Sequence, residues 1–115
     1  MAFTDAALNA ATNGLTAAFP FMSLHSADPS STGASETTAA RKNPGWPAAS
    51  GSGDSTAANV AFTGVAANGP VTFFGLWSAA TGGTFGGGFA LTGDQTANSA
   101  GAYTVTLATV NATAT

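Results

Sequence analysis

The sequence predicts a mainly β protein, an antiparallel β-sandwich or small barrel with a short N-terminal helix. Five short apolar segments follow one another along the chain, separated by clusters of Gly, Asn, Asp and Ser that favour turns. Helical spacing of apolar residues is confined to the first 18 residues. At 115 residues the chain suffices for one domain, residues 1–115, and leaves no room for a second core.

Residues 1–18 are predicted to form the helical segment. Thr4 can accept a hydrogen bond from the first turn as an N-cap, and Asp5 places a carboxylate where the helix dipole favours it. Gly14 is the expected stop, because glycine is the commonest residue just past a helix end. The apolar stripe is mostly alanine, which predicts close packing on a support; it comprises Phe3, Ala7, Leu8, Ala11 and Leu15.

The strand segments differ in how many faces they are expected to bury. Residues 71–79 are apolar on both faces, which predicts a central strand or one covered by a partner. Residues 102–110 alternate, with Tyr103, Val105 and Leu107 on one side and threonines on the other. The other strand segments are 19–26, 59–65 and 84–91, and a long loop of small and polar residues occupies 26–47.

Charge is scarce, and this scarcity excludes several classes of partner. Only 6% of residues are charged and the net charge is −3, with Arg41 and Lys42 as the two cations. Two adjacent cations do not make the basic patch that nucleic acids require. Cysteine is absent, no apolar run reaches the roughly 18 residues of a membrane span, and the first residues lack a secretion signal. We therefore expect no nucleic-acid or membrane partner, and assembly in the cytoplasm.

The hydrophobic residues make a thin core. Alanine supplies much of the 44% hydrophobic content, and isoleucine is absent. Burial of a few large side chains must offset the entropy lost by every ordered residue. We therefore expect partner surfaces to supply part of the stability.

Residues 24–36, LHSADPSSTGASE, contain the one histidine and raise the question of a metal or catalytic site. Zinc requires three or four ligands, and neither cysteine nor a second histidine is available. Asp28 and Glu36 do not have the spacing of an EF-hand calcium loop. Asp28 before Pro29 instead predicts a turn, and His25 is expected to be a packed or solvated residue at a strand end.

Catalytic and cofactor motifs are not found either. No GxSxG nucleophile elbow accompanies the many serines, and the five acids are scattered along the chain. Glycine-rich residues 82–90 lack the Lys and Ser/Thr of a phosphate loop. The sequence therefore predicts no enzyme, with no catalytic residue, no cofactor and no metal.

Three candidate partner contacts lie in the loop and near the two ends of the chain. Arg41, with Lys42, is either a docking pair or a solvated loop pair, and the solvated interpretation is favoured because surface charges contribute little. Phe3 lies in the N-terminal segment and Val110 precedes the C-terminal tail, so both are expected to contact a partner.

A fourth candidate contact is an aromatic residue in a proline-rich stretch. Trp46, between Pro44 and Pro47, is either a plug over one end of the sandwich or an interface anchor. Trp77 lies within the apolar segment 71–79 and is expected in the core.

The motifs form a series with a distinctive order. They are SLHSADPSSTGASE at 23–36, then Arg41 and Trp46, then VAFTGV at 60–65, VTFFGLWSAATGGTFGGGFAL at 71–91 and GAYTV at 101–105. This series resembles a family of small virion proteins of tailed bacteriophages, over about residues 20–107. The LHxxDP and GLWxAxxGG segments carry the resemblance most specifically, although Ser78 stands where that family often has Asp.

The resemblance implies a virion structural protein with a β-sandwich and an N-terminal helix. Its members are called head decoration or tail-fibre proteins, so both roles stay open. Our first expectation is a capsid decoration (cement) protein on the head exterior, a homotrimer that binds the major capsid protein and stabilises capsomer junctions. The alternatives are a tail-fibre or tail-tip module, or a carbohydrate-binding module for host attachment in which Trp46 and Tyr103 contact sugar. Because Tyr103 is expected in the core, the last alternative is weakened.

Overall fold

A computed structural model describes residues 3–112 as one α-helix and five β-strands. The helix α1 spans Asp5–Ala18. Each strand overlaps one of the predicted segments, and the strands are β1 (Phe21–His25), β2 (Asp54–Phe62), β3 (Phe73–Trp77), β4 (Phe85–Ala90) and β5 (Tyr103–Asn111). The second strand begins five residues earlier than its apolar segment, because Asp54–Ala58 pair with the end of β5.

The strands form two antiparallel sheets that do not close into a barrel. One sheet has the order β1-β3-β4, and the other pairs β2 with β5. The mainly β prediction with an N-terminal helix is thereby confirmed. Both sheets contribute to one hydrophobic core, with Met22, Leu24, Phe74 and Leu76 from the first and Val60, Phe62, Val105 and Val110 from the second.

The helix begins as predicted but ends later. The Thr4 side chain accepts a hydrogen bond from the Ala7 backbone N–H at 3.2 Å, which confirms the N-cap. The stop expected at Gly14 is wrong, because the helix continues to Ala18. The chain leaves the helix at Phe19, where the following Pro20 disfavours helical backbone for the residue before it.

The helix is attached through threonine, asparagine and Leu15 of the predicted stripe, whereas the stripe alanines Ala7 and Ala11 are exposed. Thr12 and Thr16 are its buried residues, whereas Phe3 is exposed. The Thr12 hydroxyl donates to the Gly53 carbonyl at 2.5 Å, and the Gly53 N–H donates to the Asn9 side chain at 2.8 Å. The turn before β2 is therefore held against the middle of α1.

The central strand of the larger sheet is β3, as its two apolar faces predicted. Its partner β1 sets Ser23 opposite Gly75 and Met22 opposite Leu76. Since side chains alternate between faces, Met22 and Leu24 point to the core, and Ser23 and His25 point to the opposite face, here called the outer face.

The β2–β5 pair changes its inward face half-way along. Tyr103, Val105, Ala108 and Val110 are buried, so the alternation shifts by one residue between Val105 and Ala108. The neighbouring strand shifts at the same level, where Asn59 adopts a left-handed φ of 54°. Leu107, expected to face inward, is consequently 68% exposed.

Candidate functional site

The 26–47 loop covers both the edge and the outer face of the three-stranded sheet. Met22 and Lys42 exchange two backbone hydrogen bonds of 2.7 and 2.9 Å, so the loop pairs with the free edge of β1. Pro29 is fully buried and lies against Gly88 of β4, where an added Cβ would collide with the proline ring. The glycines of β3 and β4 thus allow a second layer to approach the sheet backbone closely.

The predicted turn at the start of this loop is present. The Asp28 carboxylate accepts a hydrogen bond from the Ser30 N–H at 2.8 Å, and Pro29 follows it. This Asx turn confirms that Asp28 shapes the backbone. Glu36 does not join this turn; its carboxylate forms a salt bridge with Arg41.

His25 is the centre of a buried hydrogen-bond chain between the sheet and the loop. Its Nδ1 is 2.8 Å from the Ala34 carbonyl, which can only accept, so Nδ1 carries the proton. Its Nε2 then accepts from the Ser23 hydroxyl at 2.6 Å, and the Ser23 oxygen accepts from the Trp77 indole N–H at 2.9 Å. When the imidazole is neutral, every polar side-chain atom of Trp77, Ser23 and His25 has a hydrogen-bond partner.

Burial decides the protonation state of this imidazole. His25 is 0% exposed, and desolvation lowers its pKa below the usual 6.5. The Ala34 hydrogen bond and the charge of Glu36 oppose this shift, whereas the charge of Arg41 adds to it. Of the two environments expected for His25 at a strand end, packed or solvated, the structure shows the packed one, at the end of β1.

Arg41 joins three parts of the chain. Its Nε and Nη2 donate to the two Glu36 carboxylate oxygens at 2.9 Å each, a bidentate pair within the loop. Its Nη1 donates to the carbonyls of Ala79 and Gly82 at 3.1 and 2.8 Å, in the turn between β3 and β4. The guanidinium also stacks on Trp77, with Cζ 3.7 Å from the ring centroid.

This arrangement corrects two expectations about charged and aromatic residues. Arg41 is not a solvated loop residue, because only 9% of its side chain is exposed, whereas the adjacent Lys42 is exposed. Trp77 lies outside the hydrophobic core, on the outer face, between Arg41 and Phe85. The charge of Arg41 is therefore paired with groups of the same chain, and little of it is exposed to a partner.

Ser23 and His25 have the distance of a nucleophile and its base, but not the surroundings. Both side chains are 0% exposed, and the Ser23 oxygen already accepts from Trp77. The second imidazole nitrogen faces a carbonyl rather than a carboxylate. The pair therefore joins loop to sheet, and no solvent-accessible atom of it faces a substrate.

Among residues 3–112, no group of three or more His, Cys, Asp or Glu side chains is arranged to hold a metal ion. In the same part of the chain, no helix has the length and apolar character needed to cross a bilayer.

The other predicted contact residues differ widely in exposure. Phe3 is 60% exposed and is available at the surface. Val110 is 0% exposed and belongs to the core, which corrects its expected place in a partner contact, and residues 113–115 of the tail lie outside the described residues. Tyr103 is also buried, with its hydroxyl donating to the Asp94 carbonyl, so it presents no ring face to a sugar.

Leu107 is an apolar surface residue, although the alternation of residues 102–110 predicted that it faces inward. It lies in a groove of about 570 Å³ between β4 and β5, together with Phe89 and Leu91. The Phe89 ring stacks on Phe74 beneath it, with centroids 5.0 Å apart. Asn59 is the sequence signal that could have located this shift, since Asn tolerates left-handed backbone better than most residues.

Trp46 is half-buried, so part of its ring packs inward and part is open to solvent. Its indole N–H donates to the Pro20 carbonyl at 3.1 Å, and one part of the ring packs against the core. The rest borders an open groove of about 460 Å³ between the end of α1 and residues 43–48, here called the Trp46 groove. Asn13 and Asn43 also line this groove, and sequence reasoning did not single them out.

The most specific motifs of the chain, around His25 and Trp77, hold a loop on a sheet, and two large apolar side chains, Phe3 and Leu107, are exposed. A family model described as Podophage GP4 fiber I protein gp80 matches residues 2–113, and the chain belongs to this family of fibre-type phage virion proteins. The resemblance to small tailed-phage virion proteins is thereby confirmed. No curated protein and no solved structure matches the chain.

Proposed function

We propose that the protein is a non-catalytic structural subunit of a podophage fibre. The match of residues 2–113 to a family whose description names a fibre protein is the observation that carries this proposal. It favours the fibre alternative over the head decoration role that was our first expectation. The coarser statement, that this is a phage virion structural protein, follows from the family itself.

The fold supplies a way for such a subunit to assemble. One edge of the larger sheet is covered by the 26–47 loop, but β4 ends the sheet order on the other side. Leu107 is exposed in the groove beside β4, and Phe3 is exposed before α1. Contacts through these two apolar side chains and the β4 edge need no charged groups, which fits a chain with 6% charged residues.

The partners remain part of the proposal. Self-association, including the homotrimer expected from the resemblance, would bury Leu107 between copies. Contact with the major capsid protein belongs to the decoration alternative and requires a position on the head exterior.

Immunogold electron microscopy on intact virions of a phage encoding this chain tests the location. Label confined to fibres is the expected result, whereas a regular distribution over the head lattice would replace the proposal by the decoration role. A phage carrying Leu107→Ser should lose fibre label while its purified protein still folds. Ala61→Ser, an exposed change on β2, is the matched control and should keep the label.

A further inference from the structure

The Trp46 groove combines a fixed aromatic ring with uncharged polar side chains. We propose that the Trp46 groove binds a neutral saccharide. This inference goes beyond the fibre role, because a fibre subunit can be purely structural and the groove lies apart from Leu107.

The first argument is the fixed aromatic ring. The bond of 3.1 Å from the Trp46 indole N–H to Pro20 anchors one edge, and packing against the core anchors part of one face. The exposed remainder is a rigid apolar surface bordered by Pro20 and Pro47. A pyranose ring can stack its C–H groups on such a surface without the loss of side-chain entropy that a mobile ring would entail.

The second argument is a pair of oriented amide donors. The Asn13 oxygen accepts from the Ala49 N–H at 2.8 Å, and the Asn43 oxygen accepts from the Gly45 N–H at 2.9 Å. These bonds fix which side of each amide carries the oxygen, so each Nδ2 is turned away from the backbone. Within residues 3–112, neither Nδ2 has a hydrogen-bond partner, and both side chains are exposed. Sugar hydroxyls accept hydrogen bonds from such amides.

The third argument is charge. No Asp, Glu, Lys or Arg lines the groove, and the whole chain carries a net charge of −3. A charged ligand would lose hydration without gaining an ionic partner among the lining residues. A neutral saccharide fits an aromatic face and uncharged donors at once.

The test is a titration of 15N-labelled protein followed by NMR. The probes are methyl α-D-glucopyranoside, N-acetyl-D-glucosamine and L-rhamnose, with D-glucuronate as the charged control. We expect at least one neutral sugar to shift the Trp46 indole N–H and the Asn13 and Asn43 side-chain signals in a saturable manner. Glucuronate should bind more weakly than the best neutral sugar, because its carboxylate would lose hydration without an ionic partner among the lining residues.

A matched pair of variants tests the contribution of the amide. Asn43→Ala removes one Nδ2 and one local turn bond, and we expect sugar affinity to fall about three- to tenfold. Asn98→Ala removes an asparagine outside the groove whose side chain accepts from two backbone N–H groups, those of Ala100 and Ala102, and this variant should bind sugar as the wild type does. Both variants are first checked for an unchanged spectrum away from the substitution.

Three results would overturn the saccharide site. They are groove signals that no sugar moves, equal affinities in Asn43→Ala and wild type, and a groove that responds to hexaproline peptide but to no sugar. Each would leave fibre location untouched, since immunogold labelling reports on that separately.

Discussion

The outer face of the β1–β3–β4 sheet is buried under the 26–47 loop, whereas the outer face of the β2–β5 pair is open to solvent. Four of the five residues of β1 are buried, on both faces of the strand. In β5 the threonines of the outward positions are exposed, and only one side is covered. The two halves of the molecule thus meet different demands, although all their pairings are antiparallel.

Because of this difference, the loss of a single polar atom should affect stability strongly on the covered sheet and weakly on the open one. The covered sheet depends on hydrogen bonds between residues far apart in the chain, such as Trp77 to Ser23. A polar group left unpaired there keeps its full desolvation cost. On the open face, water replaces any lost partner, so substitutions are expected to be mild.

The largest effect is expected at Arg41, and the neighbouring cation Lys42 provides the control. Arg41→Met should lower the free energy of unfolding by about 3 kcal/mol, because it leaves Glu36 unpaired and removes the stacking on Trp77. Lys42→Met should change it by less than about 0.5 kcal/mol, because that side chain is exposed. Urea denaturation of both variants measures the difference, and equal losses would show that Arg41 is not the residue that holds the loop.

A smaller loss is expected where the loop network touches the sheet backbone. An added Cβ at Gly75 would lie 2.7 Å from both His25 Nε2 and Ser23 Oγ, so Gly75→Ala should cost about 2 kcal/mol. Gly14→Ala is the matched control, since no atom lies within 4 Å of its added Cβ, and it should stabilise the helix by about 0.5–1 kcal/mol. Thermal unfolding of the pair should therefore show shifts of opposite sign.

An intermediate effect follows from the lowered pKa of His25. The unfolded chain takes up a proton below about pH 6.5, and the folded chain resists it, so stability falls as pH decreases through that value. The free energy of unfolding should therefore fall between about pH 7.5 and 5.5, and the fall should stop below the folded pKa.

The control for the pH effect is His25→Gln, whose side chain does not titrate. Its absolute stability will differ, so the comparison is between the two slopes with pH. Parallel profiles in wild type and variant would refute the role of His25 and assign the pH dependence to the carboxylates.

The smallest effect on stability is expected on the open sheet. Leu107→Thr should change the free energy of unfolding by no more than about 0.5 kcal/mol, because Leu107 is 68% exposed and threonine favours strands. Val105→Thr, a change to the same residue two positions earlier on the buried side, should cost about 1–2 kcal/mol. Size-exclusion chromatography should show weaker self-association for Leu107→Thr alone, and unaltered association would exclude Leu107 from the contact.

Much of the local structure could be predicted from the sequence. The N-cap at Thr4, the turn at Asp28, the central position of β3 and the burial of Tyr103 each depend on residues close together in the chain. Propensity, periodicity and turn chemistry act over such short distances along the chain, so they predict these features from the sequence. The motifs also identified the virion family, which the match over residues 2–113 confirms.

The candidate contacts could be predicted less well, because exposure is not a property of a residue alone. Arg41 lies 38 residues from Ala79 in the chain, and its burial depends on the turn between β3 and β4, whose carbonyls accept its hydrogen bonds. Val110 and Leu107 are both apolar residues of one strand, yet the shift at Asn59 buries the first and exposes the second. The amide of Asn13 becomes a neighbour of Trp46 only through the docking of α1, whereas Asn43 is already close to Trp46 in the chain.

The sequence by itself therefore determined a mainly β chain with a capped helix, a low-charge surface and the motifs of a phage virion family. The tertiary structure decided which polar residues form hydrogen bonds inside the protein and which apolar residues are exposed at its surface. The physical reason is that hydrogen bonding and burial are satisfied between segments distant in the chain, as in the link of Trp77 to Ser23, 54 residues apart. Local pattern contains no information about which distant group will satisfy them.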